Sequence, residues 1–204
     1  MKQIVLSEGK HDVHLVSYFF EKRHGSFEMT KFIGEDEESP IQQKESRMIK
    51  NFQERRNPYD VLAKSENGKP DLKQVFSSLL NQLMGIDPEI VFFVDLDGGD
   101  LDSFLGKLDE QIRGRHSARG IKLGNHSVTK QNTDMVAADC EVLTASGQVK
   151  GEFRIVAFQQ TLERVAGVSR DAEGDDWKAE IEAFLDEEDH IFDLLHSALP
   201  DKGT

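Results

Sequence analysis

The chain reads as an α/β protein: a mainly parallel, Rossmann-like sheet flanked by helices, with a helical insertion and C-terminal helices. Three observations predict this. Uninterrupted apolar runs, Ile4-Val5-Leu6 and Ile90-Val91-Phe92-Phe93-Val94, read as strands buried on both faces, as parallel sheets require. Strand-like and helix-like stretches alternate as far as residue 113. Acidic residues follow both runs directly, where the carboxyl ends of parallel strands share one edge.

In order along the chain, the first strand leads into Asp12 to Arg23. There Val13, Val16, Tyr18, Phe19 and Phe20 have the spacing of an amphipathic helix that ends near Gly25. Phe27 to Ile33 fits a short strand. Residues 24–58 as a whole read as an insertion, with an acidic loop and then a helical excursion from Ile41 to Arg56 closed by Asn57-Pro58. Tyr59 to Lys64 is a second core strand, and Ser65 to Pro70 is a turn. Leu72, Val75, Phe76, Leu79, Leu80 and Leu83 repeat at three and four, which predicts a helix. Gly85 and Pro88 end it before the strand Ile90–Val94. A further helix is expected from Asp100 to Arg113, with Leu101, Phe104, Leu105, Leu108 and Ile112 inward and Asp100 at its N-cap. Gly114 to Gln131 is irregular and basic, carrying Arg115, His116, Arg119, Lys122, His126 and Lys130. Met135 to Leu143 and Gly151 to Phe158 form a strand pair around Ser146-Gly147. Residues 160–199 are mostly helical. Domain organisation follows: 1–165 form the catalytic-type α/β domain, and 166–204 a helical extension packed on it.

At 204 residues the chain can bury a full core, and its 31% of charged residues predicts a heavily solvated surface. No apolar run has the ~20 residues needed to span a bilayer, so no membrane partner is expected. The opening residues enter a strand without a signal-peptide pattern, and the single cysteine, Cys140, reads as a packing residue; both suit a cytoplasmic protein. The net charge of −13 argues against tight, metal-free binding to phosphate backbones.

If parallel strands carry them, Glu8, Asp95 and Asp97 meet at one edge. Two unit charges ~4 Å apart repel by about 4 kcal/mol at an effective dielectric of ~20. A hard divalent cation removes that repulsion, and oxygen-only donors suit magnesium. Gly98 and Gly99 then allow close approach of a ligand to the backbone. Lys10, Lys64 and Lys69 are candidate phosphate contacts, and the basic stretch from Arg113 to Lys130 a candidate nucleic-acid surface. His11 and His14 read as surface histidines, since a magnesium site has no need of imidazole.

Glu8-Gly9 after the first strand, Asp12 opening a helix, and Asp95-Leu96-Asp97 after a later strand resemble the Toprim fold. The wording Glu8-Gly9-Lys10-His11-Asp12 and the turn Asn67-Gly68-Lys69 are most similar to small stand-alone and OLD-family-nuclease-like members. The resemblance covers residues 3–113 and the strand Arg154–Phe158 as the last of the sheet. It implies a glutamate, Glu8, as general acid/base or metal ligand, and Asp95 and Asp97 as ligands of magnesium or manganese. Asp12 and Asp100 are secondary candidates, and so is Glu163 as the further acid some OLD-like members carry after the last strand. The implied activity is metal-dependent phosphodiester hydrolysis by a small nuclease or nucleic-acid-processing factor, with RNA or DNA as partner. A protein partner or homodimer stays open, as does a Toprim-like module that binds metal, nucleotide or protein without turnover. Phe93 to Gly98 also resembles the nucleophile motif of haloacid-dehalogenase-type phosphatases. Against that stand Gly99 in place of the usual Thr or Val, the mid-chain position, and the lack of an apolar strand before Gly174-Asp175-Asp176.

Overall fold

The computed structural model describes residues 3–24, 29–33, 49–52, 54, 60–66, 68–84, 89–168 and 176–199. Their strands are β1 (Gln3–Ser7), β2 (Met29–Ile33), β3 (Val61–Ser65), β4 (Glu89–Asp95), β5 (Ile121–Gln131), β6 (Met135–Thr144) and β7 (Val149–Phe158). Their helices are α1 (Lys10–His24), α2 (Lys69–Leu83), α3 (Leu101–Gly114), the single turn α4 (Leu162–Val165), α5 (Asp176–Glu187) and α6 (Asp189–Ala198). The fold is α/β, with a mostly parallel sheet in the order β2-β3-β1-β4-β7-β6-β5. From β2 to β7 all neighbours are parallel. β6 and then β5 continue the sheet in antiparallel fashion. Among the described residues no helix is long and apolar enough to cross a membrane.

Alternation along the central strands divides the core in two. Ile4, Leu6, Leu62, Ile90, Phe92 and Val94 point to the face covered by α2 and α3. Val5, Val61, Ala63, Val91 and Phe93 point to the face covered by α1, α5 and α6. Both faces are dry, so the strands have no polar side to show and read as unbroken apolar runs. On the first face Phe76 of α2 stacks against Phe92 of β4 and Phe153 of β7, each at 5.0 Å between ring centroids. A buried phenylalanine of this kind contributes ~2–3 kcal/mol. The leucines at three and four in α2 and α3 are the buried stripe that the periodicity predicts. On the second face Trp177, Ile181 and Leu185 of α5 and Leu194 and Leu195 of α6 pack with Val13, Val16 and Phe20 of α1.

The structure differs from the sequence reading in three places. Residues 29–33 lie within the expected insertion but form one edge strand of the sheet, paired with β3; residues 25–28, 34–48, 53 and 55–59 fall outside the described residues. β7 is not the last strand, because its other edge takes β6. The second half of the expected irregular basic segment is the long edge strand β5, exposed over residues 125–131. An edge strand with no buried face there has no alternation to reveal it.

Candidate functional site

The parallel register aligns the carboxyl ends of β1, β3, β4 and β7. Ser7 pairs with Ser65 on one side and Phe93 on the other, and Asp95 pairs with Phe158. The chain leaving β1 turns into α1 on one face, while the chains leaving β3 and β4 turn into α2 and α3 on the other. A crevice opens where such connections diverge. It encloses about 370 Å³ and is lined by Glu8, Asp12, Asp95, Asp97, Thr161 and Glu163, among others.

Glu8 and Asp95 meet directly: Asp95 N donates to Glu8 Oε1 at 2.8 Å. Lys69, in the first turn of α2, sits between the two clusters. Its Nζ lies 2.5 Å from Asp97 Oδ2 and 3.6 Å from Glu8 Oε1. Asp95 Oδ1 accepts from Leu162 N at 3.1 Å. Glu163 Oε1 is 2.6 Å from His11 Nδ1. The hairpin of backbone after β4 is fixed to the chain after β7: Leu96 N donates to Phe158 O at 2.8 Å and Gly98 N to Gln159 O at 2.7 Å. Asp97 takes a left-handed φ of 53°, and Gly98 follows at 76°. The left-handed φ favours glycine at 98, and a Cβ there would come to 3.2 Å from the Gln160 side-chain amide, which would have to shift by a few tenths of an ångström.

The charges are not balanced. Burial, then the charges of Glu8 and Glu163, push the Asp95 carboxyl up to about 8. Burial also raises Glu8, against the opposing pull of the Asp95 amide and of Lys69. Burial tends to lower Lys69, but its bond to Asp97 and the charge of Glu8 outweigh this and hold it above its ordinary value. Glu163 is held below the usual carboxylate range, first by its bond to His11.

Glu8, Asp95, Asp97 and Glu163 therefore converge, whereas the two remaining acids have structural duties. Asp12 is buried, and its Oδ2 accepts from the amides of Glu8 at 3.1 Å and Gly9 at 3.0 Å. It braces the turn that aims Glu8. Burial and then Asp95 raise its carboxyl well above the ordinary value. Asp100 caps α3, accepting from Ser103 N at 2.7 Å and Ser103 Oγ at 2.8 Å, as the sequence predicts.

Of the candidate lysines, Lys69 reaches the acids, and Lys10 lies at the crevice mouth with its ammonium 5.5 Å from the Trp177 ring centre. Lys64 is corrected: it is 1% exposed in β3 and pairs with Glu66, which removes it from any ligand. The first half of the basic stretch lies apart from the crevice. β5 starts at Ile121 opposite Thr144, beside the start of β7, so Arg113 to Lys122 lie at the sheet edge away from the crevice. Lys130, at the other end, donates to Asp193 O and Ser197 Oγ. His11 and His14 are not free surface histidines: they flank Trp177 and bond Glu163 and Glu182. The sequence reading passed over Gln160 and Arg164. Their only signal is position, since they follow β7, whose end adjoins β4.

The donor set suits a hard divalent cation in its chemistry: carboxylate oxygens at one crevice, where burial raises Glu8 and, with the charges of Glu8 and Glu163, Asp95. Among the described residues no group of three or more His, Cys, Asp or Glu is gathered closely enough to hold a metal ion. Magnesium commonly keeps several waters and takes one or two carboxylates plus substrate oxygens, and a pair such as Glu8 and Asp95 is of that donor type. Lys69 now neutralises two of those acids.

No protein-family model matches the chain, and no curated protein matches it. Among solved structures, the solution NMR structure of a de novo designed protein of P-loop NTPase fold is similar at 20% identity. That likeness covers 54% of this chain and 75% of the designed one with a TM-score of 0.33. At that score it carries no argument about this protein.

Proposed function

We propose that this protein is a small Toprim-like nuclease that hydrolyses a phosphodiester bond of RNA or DNA, with magnesium or manganese, in the crevice at the carboxyl ends of β1 and β4. One observation carries the reading: Glu8 and Asp95, far apart in sequence, are joined by the 2.8 Å bond between Glu8 Oε1 and the Asp95 amide. Glu8 with Asp95 or Asp97 would hold the cation. When bound, it neutralises phosphate charge and stabilises the attacking or leaving oxygen. Glu8 Oε1 is tied to the backbone, which leaves Oε2 to take the proton of an attacking water; its raised affinity for protons suits that role. Lys69 is at the right edge to give up Asp97 and bind a non-bridging phosphate oxygen. Glu163, oriented by His11, lines the β7 side. The crevice itself is acidic, so phosphate binding should depend on the cation.

The test is cleavage of labelled RNA and DNA in magnesium or manganese by the wild type, Glu8→Gln and Asp95→Asn. Cleavage lost in both variants supports the nuclease, and cleavage untouched by either change would sink it. Turnover of a small phosphate ester, lost in Asp95→Asn and without nucleic-acid cleavage, favours a haloacid-dehalogenase-type phosphatase. Magnesium-induced stabilisation without turnover of either substrate favours the non-enzymatic module.

A further inference from the structure

The crevice is not closed at its β7 side. A second cavity of about 630 Å³ shares Asp97, Thr161 and Glu163 with it and continues along Gln160, Arg164 and Val168. A third, of about 370 Å³, shares Gln160 and Arg164 with the second and extends to Val165, Phe184 and His190. One groove thus runs from the carboxylates, past Arg164, to a mixed wall of Val165, Phe184, Asp134, Glu188 and His190.

Of the cations near this site, Lys10 lies over the Trp177 ring and Arg164 borders the second and third cavities, and among the described residues neither makes an ion pair. Lys69 bonds Asp97, and His190 lies between Asp134 at 2.8 Å and Glu188 at 3.1 Å. The recorded side-chain contact of Arg164 is one 3.2 Å hydrogen bond from Nη1 to Gln160 Oε1, a neutral partner. Among the described residues it makes no ion pair, although the chain carries a net charge of −13 and Glu163 is its neighbour in sequence. A guanidinium left without a carboxylate beside an acidic site is available to an anion, and its planar fork matches the oxygens of a phosphate.

We infer that Arg164 is a substrate-binding residue that grips the phosphate next to the scissile one, in a single nucleic-acid strand running along this groove. The inference rests on the proposed nuclease reading and adds the direction and extent of the substrate. A mononucleotide would fill the crevice alone, whereas the groove continues past Arg164 to Val165 and the His190 ring, which leaves room for the following nucleoside. Asp134 and Glu188 at the far end both lie against the His190 ring, so the cationic contact there is that of Arg164.

The experiment compares wild type, Arg164→Gln and Arg164→Lys on a single-stranded oligonucleotide with magnesium. A second oligonucleotide carries one neutral methylphosphonate next to the cut. Loss of one charge-assisted contact should lower kcat/KM of Arg164→Gln about tenfold, mainly through KM, with partial recovery in Arg164→Lys. The slope of log affinity against log salt should fall by about 0.7, the value for one phosphate contact on a single strand. The methylphosphonate should weaken the wild type by a similar factor and leave Arg164→Gln unchanged. Cleavage by Arg164→Gln with the wild-type KM overturns the inference and leaves the nuclease standing, as does a methylphosphonate effect that persists in the variant. No nucleic-acid cleavage by the wild type overturns both.

Discussion

Asp95→Asn should make the metal-free protein more stable at neutral and alkaline pH, while abolishing the proposed chemistry. Asparagine keeps the shape and the acceptor for Leu162 N but never carries charge. The folded state pushes the Asp95 carboxyl from its ordinary 3.8 up to about 8. In that window the folded chain holds a proton that the unfolded chain has released, so stability falls as pH rises. Each pH unit is worth ~1.4 kcal/mol, which sets a ceiling of roughly 4 kcal/mol at pH 7. Asp95 is only partly buried, and local solvation at an effective dielectric of ~20 lowers this to ~2 kcal/mol. For a chain of this size that raises Tm by about 4–8 °C. General repulsion from the net charge of −13 acts nearly equally on both chains and cancels in the difference. Thermal melts followed by circular dichroism, from about pH 5.5 to about pH 8.5, should show the gap widening with pH. Magnesium should then stabilise the wild type more than the variant, because it substitutes for the proton. Parallel pH curves for the two proteins, or a variant less stable at the alkaline end, would refute the reasoning.

Three other outcomes follow from the same geometry. Lys69→Gln removes the ammonium between Glu8 and Asp97; metal-free stability should drop by ~1 kcal/mol, since Asp97 is largely exposed, while magnesium binds more tightly in a titration followed by Trp177 fluorescence. Lys64→Met strands Glu66 in the core and should cost about 3–5 kcal/mol in urea unfolding, most of it recovered in Lys64→Met/Glu66→Leu. Glu163, held below its ordinary 4.5 first by His11, contributes stability above that value and loses it as pH falls through the depressed one. His11→Asn should therefore flatten the acid side of the stability profile, read by thermal melts at decreasing pH.

The alternation of apolar runs and amphipathic stretches was enough for the α/β layout, because strands dry on both faces and helices dry on one leave different periods. Turn chemistry was enough for Asp100, whose capping bond needs only residues within its own turn. The acids at the ends of β1 and β4 could be singled out for the same local reason: they end apolar runs, where a charge needs water or a partner. Lys64 misled as a phosphate contact because its buried partner, Glu66, cannot be recognised as such in the sequence. β5 was missed because an edge strand with an exposed half carries no hydrophobic rhythm.

What the sequence determined by itself was therefore the layers of the fold and which carboxylates end up at strand ends. The tertiary structure decided the rest. Strand order sets β4 beside β1 and β7 beside β4, and so brings Glu8 to the Asp95 amide and Glu163 to His11. It also separates roles that look alike in the chain: Asp12 braces a turn, Asp97 faces Lys69, and Arg113 to Lys122 lie at the far edge. Side-chain period is a local property of the backbone, whereas strand adjacency comes from packing between residues distant in sequence; the crevice and the groove past Arg164 belong to the second kind.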